Sequence, residues 1–226
     1  MEPNDKIDIL ITGVGGQGVV LAGDIIGDVA IAGGYDVKKT DTLGMAQRGG
    51  GVTAHIRMAG QVASPLIQPG EANFMLSLEK LEAVRWADML HPLGTAIVNN
   101  FALPPVSAGV GGPDYPDDEK INEELYKHVD EVIFIEGSSA AEEMGNPKIL
   151  NVVMLGTLSM LLPFSPDAWK QVIRQHLPEK ILDLNLRAFE RGRKEMIRAL
   201  DIAPFILRAE CDHEHEDGHQ CGGGYG

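Results

Sequence analysis

Two glycine-rich stretches carry most of the chemistry open to this 226-residue chain. The first, Gly13–Gly18 (GVGGQG), sets Gly13, Gly15 and Gly18 in G-x-G-x-x-G spacing, with Gly16 between them, where a short apolar run gives way to helical periodicity. Glycines at such a turn let the backbone approach an anion closely and aim the N–H groups of a helix start at it. Cofactor-free α/β domains use the same turn purely for packing, and the spacing alone leaves both readings open. Gln17 adds an amide able to reach a ligand or a neighbouring subunit. The second stretch, residues 44–51 (GMAQRGGG), flanks Gln47 and Arg48 with Gly44, Gly49, Gly50 and Gly51. It holds too many glycines for a packed element, but its backbone can come close to a partner and offer N–H groups to anions. The planar fork of Arg48 suits a carboxylate or a phosphate. An ordinary surface loop with an unremarkable arginine is the plainer alternative.

Three further features invite a chemical reading. Asp41 follows the second expected strand, where a dinucleotide site keeps its ribose-binding acid. His55 and Arg57 share the polar face of a strand with Thr53, opposite Val52, Ala54 and Ile56. No His, Cys or Asp cluster lies near His55 in sequence, so it reads as a structural histidine rather than a metal ligand or general base. Near the C-terminus, Cys211, His213, His215, His219 and Cys221 place five soft or borderline ligands in a short run, a set suited to Zn²⁺ or Ni²⁺. A solvated, adventitious chelating tail is the plainer reading of that run, and a metal store or sensor the sharper one.

Some chemistry is missing. The only two cysteines, Cys211 and Cys221, lie in the tail, too few for an iron–sulfur cluster, which usually takes four. No GDG…N pattern of the kind that holds thiamine diphosphate through a divalent cation is present. Gly23-Asp24-Ile25 and Gly27-Asp28-Val29 fall inside an expected helix. No Ser/His/Asp or Cys/His arrangement stands out for nucleophilic work.

The elements that would position these residues follow from apolar periodicity. Ile7–Thr12 reads as a buried strand, residues 18–32 as a helix stopped by Gly33–Gly34, and Tyr35–Thr40 and Val52–Met58 as strands flanking the second loop. Further strands are expected at Asn73–Ser77, Thr95–Asn99 and Val132–Glu136. Helices are expected at Glu79–Leu90, Asp117–Val129, Asn151–Leu162, Pro166–His176 and Pro178–Leu200, with Asn151 as a cap. Leu103–Pro116, rich in Pro and Gly, reads as a surface excursion. Strand–helix alternation predicts an α/β fold: a doubly wound, mostly parallel Rossmann-like sheet with a helical C-terminal portion. One domain over 1–205 is expected, followed by a disordered, acidic Cys/His-rich tail over 206–226.

The net charge of −14, from 33 Asp and Glu against 19 Lys and Arg, argues against nucleic-acid binding, which needs cations to neutralise phosphates. No apolar run approaches the roughly 18–20 residues that span a bilayer, and the acidic start MEPNDKIDIL is unlike a signal peptide, so a cytoplasmic chain away from membranes is expected.

Taken together, GVGGQG and TDTLGMAQRGGGVTAHIR resemble the gamma-type domain of the 2-oxoacid:ferredoxin oxidoreductases, most closely the indolepyruvate type. The resemblance continues in order through SPLI (Ser64–Ile67), LEKLEAVR (Leu78–Arg85), VNN (Val98–Asn100), NVVMLGTLS (Asn151–Ser159) and NLRAFERG (Asn185–Gly192). It implies oxidative decarboxylation of an arylpyruvate or related 2-oxoacid to an acyl-coenzyme A and CO₂, with electrons leaving to ferredoxin. It also implies a large alpha subunit that holds thiamine diphosphate, its divalent cation and the iron–sulfur clusters, with coenzyme A as co-substrate and none of these firmly bound by this chain alone. On that resemblance Gln47 and Arg48 are expected to serve catalysis. Gly13, Gly15, Gly16, Gln17, Gly18, Gly49 and Gly50 are expected to face a cofactor. A gamma subunit acting on pyruvate, 2-oxoisovalerate or 2-oxoglutarate, or a free-standing Rossmann-type nucleotide-binding protein, remains the alternative.

Overall fold

The computed structural model describes residues 5–43, 50–104 and 115–213. Among them six strands form one sheet in the order β2-β3-β1-β4-β5-β6: β1 (Ile7–Val14), β2 (Asp36–Leu43), β3 (Gly51–Ala59), β4 (Ala72–Ser77), β5 (Leu90–Asn99) and β6 (Glu131–Ile135). β1, β4, β5 and β6 pair in parallel, whereas β3 runs antiparallel to both β1 and β2. The sheet is thus mostly parallel, as expected, with one reversed strand inserted beside its centre.

Every residue of β1 is buried, the mark of a central strand covered on both faces. Ile9 and Ile11 point into one core and Leu10 into the other. The larger core lies under α1 (Val19–Ala32), α5 (Leu150–Leu158), α6 (Pro166–His176) and α7 (Glu179–His213). The smaller lies under α2 (Lys80–Arg85) and α3 (Asp118–Tyr126). A short helix, α4 (Gly137–Glu143), follows β6.

α5 and α7 touch backbone to backbone. A Cβ on Gly156 would collide with the Phe189 carbonyl, and one on Gly192 with the Val153 carbonyl, so glycine on each side permits the approach. Trp169 stacks on Phe189, their centroids 6.0 Å apart, and closes this core.

Several boundaries differ from the sequence expectation. The helix expected over Glu79–Leu90 ends at Arg85, passes through a 3₁₀ turn at Ala87–Met89, and Leu90 already begins β5. Asn151 does not cap α5, since Ile149 stands at the N-cap. α7 continues well past Leu200, to His213.

Candidate functional site

The reversal of β3 is what builds the site. Because β3 runs against β1, its first residue, Gly51, pairs with the last residue of β1, Val14. The two glycine stretches therefore meet at the same end of the sheet, where Gly15 N–H donates to the Gly50 carbonyl at 3.0 Å. α1 begins at once beyond Gly18, which sits at the N-cap with φ 86° and offers no side-chain cap, and the first turn of α1 carries no acidic residue. Its leading N–H groups face the edge uncompensated, a polarity that favours an anion. Gly16, at φ 97°, has open space where a side chain would stand. A Cβ on Gly18 would fall 2.5 Å from the Asn151 amide nitrogen, so this glycine is required by packing as well as by its left-handed backbone.

Polar side chains beneath the turns lock them in place. Gln17 does not extend outward: its Oε1 accepts from Val14 N–H at 2.7 Å and its Nε2 donates to the Leu78 carbonyl at 3.2 Å. Thr12 Oγ1 donates to Ser77 Oγ at 2.8 Å, and Ser77 Oγ donates to the Glu79 carbonyl at 2.7 Å. Asn99, at the end of β5, donates to the same Leu78 carbonyl and to Ser138 Oγ, while its own oxygen accepts from Ser138 N–H. Asn151 reaches from α5 to the Gly18 carbonyl at 3.4 Å. Sequence reasoning missed Asn99 and Asn151 as supports of the glycine turn. The signal for Asn99 was its place at the C-terminal end of a parallel strand, where α/β sheets assemble their sites.

Two buried carboxylates stand behind this edge. Glu79 caps α2 by accepting from Glu82 N–H at 2.9 Å, and it also takes Leu103 N–H at 3.0 Å and the Tyr115 hydroxyl at 2.5 Å. Burial, together with that bond to Glu79, pushes the Tyr115 phenol far above its ordinary range. Glu82 packs against Gly51, and burial pushes its carboxyl up; Arg85 opposes that push and Glu79 adds to it.

The dinucleotide reading fails on topology. A ribose-binding acid belongs on the strand beside β1, whereas here β3 occupies that place and Asp41 lies on β2, two strands away. At roughly 4.8 Å per strand, that displaces the acid by about 9–10 Å from the glycine turn. Asp41 is also taken up by Lys39 at 2.8 Å, which bridges on to Asp24 at 2.6 Å.

His55 and Arg57 hold a covering segment. His55 is buried, its pKa lowered by burial and by Arg57, and its Nδ1 accepts from Ile67 N–H at 3.4 Å. Arg57 grips Asp8 with two bonds of 3.0 Å, and also bonds Glu71 and the Leu66 carbonyl. Among the described residues no group of three or more His, Cys, Asp or Glu could hold a metal ion. Of the tail residues, Cys211 and His213 stand in the last turn of α7, while His215, His219 and Cys221 lie outside the described residues, as do Gln47, Arg48 and Gly49.

The family model of pyruvate ferredoxin/flavodoxin oxidoreductase matches residues 8–195. The chain belongs to this family. Within the pyruvate ferredoxin/flavodoxin oxidoreductase family it is 38% identical over 194 residues to indolepyruvate oxidoreductase subunit IorB of Archaeoglobus fulgidus, covering 85% of this chain and 96% of that one. To subunit IorB of Thermococcus kodakarensis it is 37% identical over 196 residues, 84% and 95% of the two chains. In fold it is similar to the gamma subunit of a keto/oxoacid ferredoxin oxidoreductase from Geobacter sulfurreducens, with TM-score 0.65, 20% identity, and coverage of 86% and 98%. The family match contains the whole edge from Thr12 to Asn151 and stops before the Cys/His tail.

Proposed function

We propose that this chain is the small subunit of a 2-oxoacid:ferredoxin oxidoreductase of the indolepyruvate type, completing at an interface an active site whose thiamine diphosphate and iron–sulfur clusters sit on a large partner subunit. The observation that carries this reading is the Gly15–Gly50 bond, which brings the end of the second glycine stretch to the turn that opens α1 and forms one edge with it. That edge suits an anionic group but offers, among the described residues, no set of ligands for a metal. Such a surface binds and orients without supplying the reactive centre. The identity to subunits named IorB supports indolepyruvate as the substrate class.

When bound by the partner, thiamine diphosphate supplies the carbanion chemistry for decarboxylation, and the clusters carry single electrons to ferredoxin. This chain's part is positional. The open turn at Gly16 and the N-terminus of α1 would receive a phosphate, such as one of coenzyme A, and Arg48 would grip a second negative group. Gln47, Gly49 and Gly50 would take part in the same recognition. The Cys/His tail lies beyond the family match and is proposed to have no part in the reaction.

An anaerobic pull-down of the tagged chain from its native extract tests the reading. A brown partner with thiamine-dependent viologen reduction on indolepyruvate is expected. A colourless, solitary chain that binds NAD or FAD would overturn it, and preference for pyruvate or 2-oxoglutarate would move the chain to another substrate class.

A further inference from the structure

Glu82 takes no part in the network that ties the glycine turns together, yet it presses against one of them. Its side chain is buried, at 4% exposure, on the first turn of α2. Oε1 accepts from Arg85 Nη1 at 2.7 Å, whereas Oε2 is shielded from solvent and meets no hydrogen-bond donor. A Cβ built on Gly51 would fall 2.5 Å from that same Oε2, so the orphan oxygen rests on the bare Cα at the start of β3. One residue earlier, the Gly50 carbonyl receives the Gly15 N–H at 3.0 Å. A side chain at position 51 would have to displace the Glu82 carboxyl from this place.

We propose that Glu82 is a positioning residue for the candidate site: its carboxyl, packed on Gly51, sets the start of β3 and, through the Gly50–Gly15 hydrogen bond, the separation of Gly50 from the first glycine turn. Leaving a charged oxygen buried without a donor is costly, and a neutral acid in the same place costs less. Burial drives Glu82 toward the neutral form. Of the charged groups around it, Arg85 on its own helix resists that drive and Glu79 at the cap reinforces it. Lys80 is committed to Asp118, Tyr115 to Glu79, and Gly50 and Gly51 bring no titratable side chain. The bearing of that separation on catalysis rests on the function proposed above, whereas the packing itself can be tested on the full chain alone.

The test is backbone-amide NMR on the full chain and two variants. Glu82→Gln, which keeps the shape and stays neutral, is expected to hold Gly15 N–H exchange within about twofold of the unaltered chain, whereas Glu82→Ala speeds it roughly tenfold or more and leaves the β4 amides of Met75 and Leu76 protected. In the unaltered chain the Gly15 and Gly51 resonances are expected to follow a carboxyl titration above the ordinary glutamate range, absent in Glu82→Gln. Gly15 protection unchanged in Glu82→Ala would overturn the proposal, as would flat resonances in the unaltered chain or the same titration in Glu82→Gln. If Glu82→Ala does not fold, the titration comparison decides.

Discussion

Gln17 holds the first glycine turn from within, whereas the role proposed for Arg48 is to reach a negative group outside the chain. Gln17 spends both ends of its amide inside the chain, on Val14 and Leu78. Gln17→Ala leaves the Val14 N–H without its acceptor and should cost roughly 1–3 kcal/mol, read as a lower urea midpoint. An unchanged midpoint would show that the amide does not hold the turn. Arg48→Ala should instead cut turnover of the assembled enzyme and leave the midpoint alone, and turnover equal to that of the unaltered chain would contradict its role. His55 makes a pH prediction. Its pKa is lowered from 6.5 by burial, so just below pH 6.5 the unfolded chain binds more protons than the folded one. Its contribution to stability is therefore full above that pH and is lost as pH falls through the folded value. His55→Gln should flatten the acid side of the stability profile in that window, and an unaltered slope would rule out His55 as its source.

Elements differ in how far periodicity betrays them. The apolar runs of β1, β4, β5 and β6 announce buried strands, and the alternation Val52, Ala54, Ile56 announces which face of β3 enters the core. Alternation specifies a face, not a direction, so the reversal of β3 was not legible, and with it the meeting of the two glycine turns. The 3.6-residue pattern ran unbroken from α2 into the start of β5 because Ala87, Met89 and Leu90 are buried in either geometry. α4 escaped notice because its seven residues, GSSAAEE, carry no apolar stripe. Asn151 looked like a cap because that is asparagine's common use, and only the fold shows its amide spanning to Gly18. The α5–α7 contact gives the element-scale prediction. Gly192→Ala forces a methyl into the Val153 carbonyl and should cost about 3 kcal/mol by driving the helices apart. A melting temperature within about 2 °C of the unaltered chain would mean that the two helices can separate freely.

At the largest scale, the described residues form a six-stranded sheet that delivers one edge. Its strand ends at Thr12, Ser77 and Asn99 are tied together by side-chain hydrogen bonds, and the N-terminus of α1 beside them carries neither a side-chain cap nor an acidic residue in its first turn. That division fits the proposed subunit, which contributes geometry to a reaction whose redox chemistry would lie on a partner. A site shared across an interface would need both chains at once. The most direct measurement is anaerobic reconstitution of the separately purified thiamine- and cluster-bearing partner with increasing amounts of this chain, following viologen reduction on indolepyruvate. Negligible activity is expected from either component alone, with a rise that saturates at a fixed ratio of the two. Full activity of the partner without this chain would contradict a shared site.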